Sequence, residues 1–386
     1  MRILFVVRRL NMGGIQTATL LLAKILANAG HEVHIFVQKG KPTLEVPKEI
    51  IVHAHDIDKE LRKNIRGFFK NIYTSLIISR LIPGSKFIWQ AKDYVRLFKK
   101  HLEAIENQYG KFDLIISRGE GSFEKLAAFD DKRFFIQVEG NPDANERRFF
   151  APFIYRALYT NKKIIAVSKG IAQVLEDSLK RHQVKTDGPI RIIYNFLNQN
   201  EIIEKSNEKV IEDLNSKYIV HVGRLHRDKN QELVLSSFAK LNKLDPNIRL
   251  IMVGGGEERE KLEKLAKDLQ IDKLVQFVGL KYNPYPYIKH AKAFLLTSKM
   301  EGLGMVLIES LMLGVTPVAC NGKGGIRDIM VGELANNLVD FDEEKIAQKL
   351  LEVINNPTKI TSDMFEKFTP EAALKSYELL YKSTKE

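Results

Sequence analysis

Short apolar, β-branched runs alternate with amphipathic stretches along almost the whole chain. "RILFVV" (Arg2 to Val7) reads as a buried strand and is followed by the turn-rich "RRLNMGG". "IQTATLLLAKILANAG" then has helical periodicity: Ile15, Leu20, Leu21, Leu22, Ile25 and Leu26 can face one side, and Gly30 supplies a stop. "HEVHIFVQ" and "EIIVHAHD" read as second and third strands, so the chain opens as β-α-β, the start of a doubly wound sheet. After a basic interval the pattern resumes with "FDLIISRG", "RFFIQVEGNP", "KKIIAVSKGIAQVLEDSL" (strand, serine-led turn, helix) and "IRIIYNFLN". A polar stretch without a strong apolar face, residues 199–217, marks a domain boundary near residues 195–200. Beyond it, strands such as "YIVHVGRL", "IRLIMVGGG", "VQFVGL", "AFLLTS" and "VTPVAC" alternate with helical segments, ending in the helical tail "EAALKSYELLYKSTKE". The pattern predicts two doubly wound α/β domains, residues 1–197 and 198–366, with a helix in 367–386 packing back toward the first. Ligands of such sheets bind beyond the carboxyl ends of the strands, which predicts a site in the cleft between the two domains.

Composition narrows the class. With 386 residues, 44% hydrophobic and 28% charged, the chain has the balance of a soluble globular protein. No apolar stretch approaches the ~18 residues of a membrane span. The start "MRILFVVRRL" is not a signal peptide, because its apolar run is short and Arg8 and Arg9 follow at once. A cytoplasmic chain is therefore expected. The single cysteine, Cys320 in "TPVAC", reads as a core thiol.

The net charge of +12 is unevenly placed: between Lys59 and His101 lie eleven lysines and arginines, Arg66 and Lys70 among them, against Glu60 and Asp93. A solvated helical surface and docking to an anionic membrane both fit. "IRGFFKNIYTSLIISRLIPGSKFIW" mixes Phe68, Phe69, Ile72, Tyr73 and Trp89 with cations, as interfacial segments do. No nucleic-acid module pattern is present.

Glycines at strand exits are the next signal. Gly13 and Gly14 stand between the first strand and its helix, either as a tight turn or as a place where backbone N–H groups meet an anion. "IMVGGGEERE" reads as a structural turn, because Glu257, Glu258 and Glu260 already satisfy the helix dipole there. In "HVGRLHRDKN", Arg224 and Lys229 lie five positions apart in a loop after Gly223, a spacing suited to gripping a diphosphate or to a solvated basic loop. "HAHDID" has a metal-like look, but its spacing fits neither a binuclear hydrolase nor, in this strand pattern, a D-x-D site; the polar edge of a strand is the better account. No H-E-x-x-H, P-loop or G-x-S-x-G motif occurs.

In "KMEGLGMVLIESLMLG", Glu301 falls in a loop, Gly302 and Gly304 permit close approach, and a helix beginning near Gly304 or Met305 puts Glu309 in its second turn. On a full helix, residues eight apart lie roughly 12 Å apart along the axis, so the two carboxylates are not an acid/base pair. They are set to hold two parts of one extended ligand, with the helix start between them as a phosphate site.

At these residues the chain resembles retaining glycosyltransferase family four (the group 1 glycosyltransferases), with its GT-B fold of two Rossmann-like domains. "EGLGMVLIE" is similar to the family's E-x7-E motif, and "AVSKGIAQVL", "IIYNFLN", "HVGRL", "VGGGEEREKLEKLA", "VQFVGL" and "GVTPVACNGKGGIRDIM" match in order. The resemblance implies that Arg224 and Lys229 hold the donor diphosphate, that Glu309 binds the ribose and that Glu301 lies at the donor sugar. It also implies that Gly302, Leu303, Gly304 and Met305 offer backbone groups to sugar and phosphate, that Val278 reads the base, and that Gly14 lies near the diphosphate. Gly13, Gln16 and Glu139 are acceptor-side candidates. Many relatives carry a histidine near the donor sugar where "IQVEGNP" here has Gln137 or Glu139. The implied reaction is metal-independent, cofactor-free transfer with retention from a nucleotide-sugar, UDP-linked by preference, to a lipid-linked or lipopolysaccharide-type glycan. Its implied place is the inner membrane face, with peripheral association with anionic lipid and no nucleic-acid partner. A sugar-nucleotide epimerase on the same fold and a non-catalytic sugar-nucleotide-binding partner are the alternatives.

Overall fold

The computed structural model describes all residues except 12, 64–68, 70–71, 146–148, 213 and 386. Arg66, Phe68 and Lys70 of the basic segment lie outside the described residues. The chain divides into two compact units: unit 1 is Met1–Ile193 with Ala373–Glu386, and unit 2 is Tyr194–Ala372.

Unit 1 is a seven-stranded parallel sheet of order β3-β2-β1-β4-β5-β6-β7. Its strands are β1 (Arg2–Val7), β2 (Glu32–Val37), β3 (Ile50–Ala54), β4 (Leu114–Arg118), β5 (Phe134–Val138), β6 (Lys163–Ala166) and β7 (Arg191–Ile192). The central strands are continuous apolar runs because helices cover both faces: Ile3, Leu4, Phe5 and Val6 in β1 have no exposed surface. Helix α1 (Gly14–Asn28) buries Thr19, Leu22, Ala23 and Leu26. That stripe is narrower than the six apolar positions predicted, because Leu20, Leu21 and Ile25 stand on its flanks and stay half-exposed. After β3 come α2 (Ile57–Lys63) and α3 (Lys86–Tyr109), the latter burying Phe87, Tyr94, Phe98, Leu102 and Ile105. β7 is only two residues long, and the rest of "IRIIYNFLN" passes into unit 2 from Tyr194. In the terminal helix Pro370–Lys382, Tyr377 meets Phe5 edge-on with ring centroids 6.1 Å apart and donates to Gln137 Oε1 at 3.0 Å.

Unit 2 is a six-stranded parallel sheet of order β10-β9-β8-β11-β13-β15. Its strands are β8 (Tyr218–Val222), β9 (Arg249–Val253), β10 (Val275–Gly279), β11 (Ala293–Leu296), β13 (Pro317–Cys320) and β15 (Leu338–Val339). β12 (Met300–Glu301) and β14 (Lys323–Gly324) form a separate parallel pair. The polar stretch 199–217 begins with a short helix, Gln199–Lys205, whose N-cap Asn198 accepts from the N–H groups of Asn200 and Glu201 and which buries Ile202. Cys320 is a core thiol with no exposed surface, and burial pushes its pKa up to about 12. Each sheet runs outward in both directions from its first strand, so each has a topological switch point, between β1 and β4 in unit 1 and between β8 and β11 in unit 2.

Candidate functional site

The two loops flanking the switch point of unit 2 are those that carry Arg224, Lys229 and Glu301. The first leaves β8 at Gly223. Gly254, after β9, packs so closely on it that a Cβ there would sit 1.9 Å from the Gly223 carbonyl oxygen. The glycine run 254–256 thus serves backbone packing. Acids occupy the start of the helix that follows it, with Glu258 paired to Arg227 and Lys261. Arg224 is exposed and has no side-chain partner among the described residues. Lys229 ends a one-turn helix and its Nζ meets Glu301 Oε1 at 2.5 Å. Thr297, at the end of β11, donates to the Lys229 carbonyl at 2.9 Å and so ties the first loop to the second.

The second loop is pinned from beneath by "NGKGG". A Cβ at Gly324 would lie 1.9 Å from the Glu301 carbonyl oxygen, and the Gly325 N–H donates to that oxygen at 3.0 Å. Glycines in the partner segment let the Glu301 loop be held through its backbone, so the Glu301 side chain can turn to Lys229 while Leu303 enters the core. Gly304 caps the helix Met305–Met312, which has neither a side-chain cap nor an acid in its first turn. Its opening N–H groups and dipole are therefore available to an anion. Glu309 sits in the second turn, half-buried, with no hydrogen-bond partner for its carboxyl among the described residues. Burial pushes its pKa up to about 7. A half-buried carboxyl without a cation is costly and is the kind of group that polar ligand atoms satisfy. Val278 falls at a register break in β10, where Phe277 pairs Met252 and Gly279 pairs Val253, so its backbone stands outside the β9 ladder.

Beneath Lys229 lies a residue the motifs did not single out. His221, one residue before the end of β8, is fully buried; its Nδ1 meets the Leu295 carbonyl at 2.9 Å and burial holds its pKa down to about 4. Gln231 is 3.4 Å from its other nitrogen and donates to the Arg224 carbonyl at 2.8 Å. A histidine in an otherwise apolar buried strand was the available signal.

At the switch point of unit 1, α1 begins at Gly14 with no side-chain cap and no acid in its first turn, and among the described residues, its chain neighbours aside, nothing stands within 4 Å of where a Gly14 Cβ would be. The Gln16 amide folds back over Gly13. The strand exits around them are densely charged. Arg8, after β1, pairs with Asp58 and donates to the Tyr94 hydroxyl at 3.3 Å. Burial would raise the Asp58 pKa, but Lys125, Arg8 and Lys39 outweigh it and hold the carboxyl low. Glu139 lies against the guanidinium of Arg118, Oε1 accepting from Nε at 2.9 Å and Nη2 at 2.8 Å, and Gln137 donates to the same oxygen at 3.0 Å. Both charged partners are almost wholly buried, at 1% and 5% side-chain exposure, so Glu139 has a structural occupation in addition to any part it plays with an acceptor. Glu120 accepts from the Gly140 N–H at 3.3 Å. Burial raises its pKa and, with the Glu120 charge, raises that of Glu124 to about 7.

The "HAHDID" residues scatter to different partners. His53 pairs with His34 at 2.8 Å, Asp56 caps the Lys59 N–H at 2.9 Å, and Asp58 goes to Arg8. His55 stacks on Phe36 with centroids 5.1 Å apart and lies tilted against His101 with centroids 3.9 Å apart.

The family model described as Glycosyl transferases group 1 matches residues 202–372, and the one described as Glycosyltransferase Family 4 matches residues 12–201. An N-acetylgalactosamine-N,N'-diacetylbacillosaminyl-diphospho-undecaprenol 4-alpha-N-acetylgalactosaminyltransferase of Campylobacter jejuni is 25% identical over 93% of this chain and 94% of its own. An uncharacterized glycosyltransferase of Methanocaldococcus jannaschii is 28% identical over 53% of this chain and 52% of its own length. The solved structure of Anabaena HepE in complex with UDP superposes with a TM-score of 0.69 over 99% of this chain and 100% of that one, at 15% identity, a likeness of fold.

Proposed function

This chain belongs to the group 1, or family four, glycosyltransferases, and on that premise we propose that it transfers a sugar, with retention of anomeric configuration, from a UDP-sugar to a lipid-linked or lipopolysaccharide-type glycan. The observation that carries this reading is the grouping at the unit 2 switch point: the Lys229–Glu301 pair, the exposed Arg224, the uncapped helix start and the half-buried carboxyl of Glu309.

Arg224 and Lys229 hold the diphosphate, with the N–H groups of Gly302 to Met305. As the bond from the sugar to the diphosphate breaks, negative charge grows on the leaving oxygen. Two fixed cations stabilise that charge without a metal ion. Glu309 accepts from the ribose hydroxyls, which replace the partner it lacks in the free chain. Glu301 positions the sugar, and the Val278 backbone meets the base. Gly14 lies at the diphosphate, and Gly13, Gln16 and Glu139 lie on the acceptor side. The acceptor hydroxyl attacks from the face the diphosphate leaves, which retains configuration.

Two features support a membrane-borne acceptor. The Campylobacter relative carries undecaprenol in the name of its substrate. In unit 1, Phe69, Tyr73, Leu76, Ile77 and Leu81 are between 46% and 65% exposed, and Arg62, Lys63, Arg80, Lys92, Arg96, Lys99 and Lys100 are exposed in the same segment. An apolar surface among cations suits an anionic bilayer at the cytoplasmic face. Among the described residues no helix is long and apolar enough to cross a membrane.

A panel of UDP-, GDP- and ADP-sugars, read by nucleotide release with and without a lipid-linked saccharide, tests the reading. UDP release coupled to product on the acceptor is expected. An epimerised donor with no need of acceptor would replace transfer by isomerisation, and donor binding without turnover would leave a non-catalytic partner.

A further inference from the structure

At the carboxyl edge of the unit 1 sheet, two strands out from its glycine loop, three side chains with metal-binding donors meet from three separate elements. His55 follows the edge strand β3, Glu60 comes from α2 and His101 from α3. One ligand atom of each lies within 4.8 Å of the others. His101 Nε2 already touches Glu60 Oε2 at 2.9 Å, while the His55 imidazole lies 3.9 Å from that of His101, tilted by 30°, with no hydrogen-bond partner among the described residues. The neighbouring histidines are occupied: His53 by His34, and His34 also by Glu32 at 2.9 Å.

We propose that His55, Glu60 and His101 form a transition-metal site that takes Zn²⁺. Two imidazoles and one carboxylate are a zinc donor set, with bonds of about 2.0–2.2 Å. A tetrahedral ion of that size needs its donors roughly 3.3 Å apart. The three are therefore within a side-chain rotation of ligating distance, with the His55 ring turning out of its stack. His101 is 19% and Glu60 31% exposed, so the ion can enter from solvent and a water completes the tetrahedron. The ion fastens the end of β3, an edge strand, to α2 and α3, which pack on each other. Since α2 also carries Asp58, the partner of Arg8, it braces one wall of the glycine-loop region.

The test uses the full chain, stripped with a chelator and titrated with Zn²⁺ against a chromophoric competitor. One equivalent should bind. His55→Ala and His101→Ala should each weaken it at least tenfold, because even outer partners of zinc ligands matter by 10–100-fold. His290→Ala, a change at an exposed histidine of unit 2, should leave it unchanged. Co²⁺ in the same site should show the intense visible bands of tetrahedral coordination. Zinc at about a hundredfold excess over its Kd should raise the melting temperature of unit 1 by about 5–10 °C. Absence of a stoichiometric equivalent, or its survival in both histidine variants, overturns the proposal. Should His101→Ala fail to fold, His55→Ala and Glu60→Gln decide it, both lying at half-exposed positions.

Discussion

The two switch points are built on one plan and charged in different ways. In each unit the loop after the first strand and the loop after the fourth flank the crevice, and in each a helix starts at or beside a glycine with neither a cap nor an acid. In unit 1 many of the charges at the strand exits face one another: Arg118 with Glu139, and Asp58 with Arg8, Lys39 and Lys125. In unit 2 the Lys229–Glu301 pair is partly open to solvent, and Glu309 has no partner among the described residues. Paired buried charges hold a wall in place. A lone half-buried carboxyl and an open ion pair are what a ligand can still satisfy or compete for.

The strongest way to break that contrast is Arg118→Ala. It leaves Glu139 buried without its cation, and unit 1 should lose about 3–5 kcal/mol of stability. Urea unfolding followed by a probe in each unit should show the loss in unit 1 alone; a loss below 1 kcal/mol would mean that the pair is not the brace it looks to be. Lys229→Ala should do the reverse, leaving the urea midpoint of unit 2 nearly unchanged while kcat for transfer drops by about 10²–10³. Unchanged turnover would remove Lys229 from the site.

Glu309→Gln sharpens the contrast by trading activity against stability. Donor affinity should fall roughly 10–100-fold with the loss of charged hydrogen bonds to the ribose. Its raised pKa also carries a sign. Between about pH 4.5 and 7 the folded chain holds a proton on Glu309 that the unfolded chain has released, so stability contributed by this group falls as pH rises through that window. Above pH 7 the penalty is fully present, and Glu309→Gln should there be more stable than the parent by roughly 1–3 kcal/mol. At pH 4 the gain should vanish; a gain independent of pH would tie it to something other than ionisation. The smallest effect is expected at the surface of unit 1. Replacing Lys92 and Arg96 together by alanine should weaken sedimentation with anionic liposomes by about 1 kcal/mol per cation and leave soluble-acceptor turnover alone. Salt-insensitive absence of liposome binding by the parent chain would remove the membrane part of the reading.

Much of unit 2's candidate site was legible because its parts are local. Glu301, the glycines and Glu309 share one loop and helix, and Arg224 and Lys229 share another, so spacing alone places them. The Val278 bulge was not legible, since register depends on the paired strand β9. Unit 1 reads differently. Its strands follow from apolar runs, but Glu139 stood in the sequence as an acceptor-side candidate, and its bond to Arg118 joins positions 21 residues apart. The "NGKGG" segment looked like a family match and nothing more, until the close approach of Gly324 to Glu301 gave it a task.

The periodicity of apolar positions determined the alternating elements and the two doubly wound sheets, because burial on both faces of a parallel strand demands a continuous apolar run. It also placed Glu309 on a helix turn, since helical rise is a local property, whereas Glu301, expected in a loop, ends the two-residue strand β12, whose pairing with β14 no local pattern reveals. Only the tertiary structure decided which charges are spent on each other and which are left over. Pairing of Arg8 with Asp58, of Arg118 with Glu139 and of His101 with Glu60, and the isolation of Glu309, depend on which strand exits and helices lie side by side. That adjacency is set by sheet order and helix packing, not by distance along the chain.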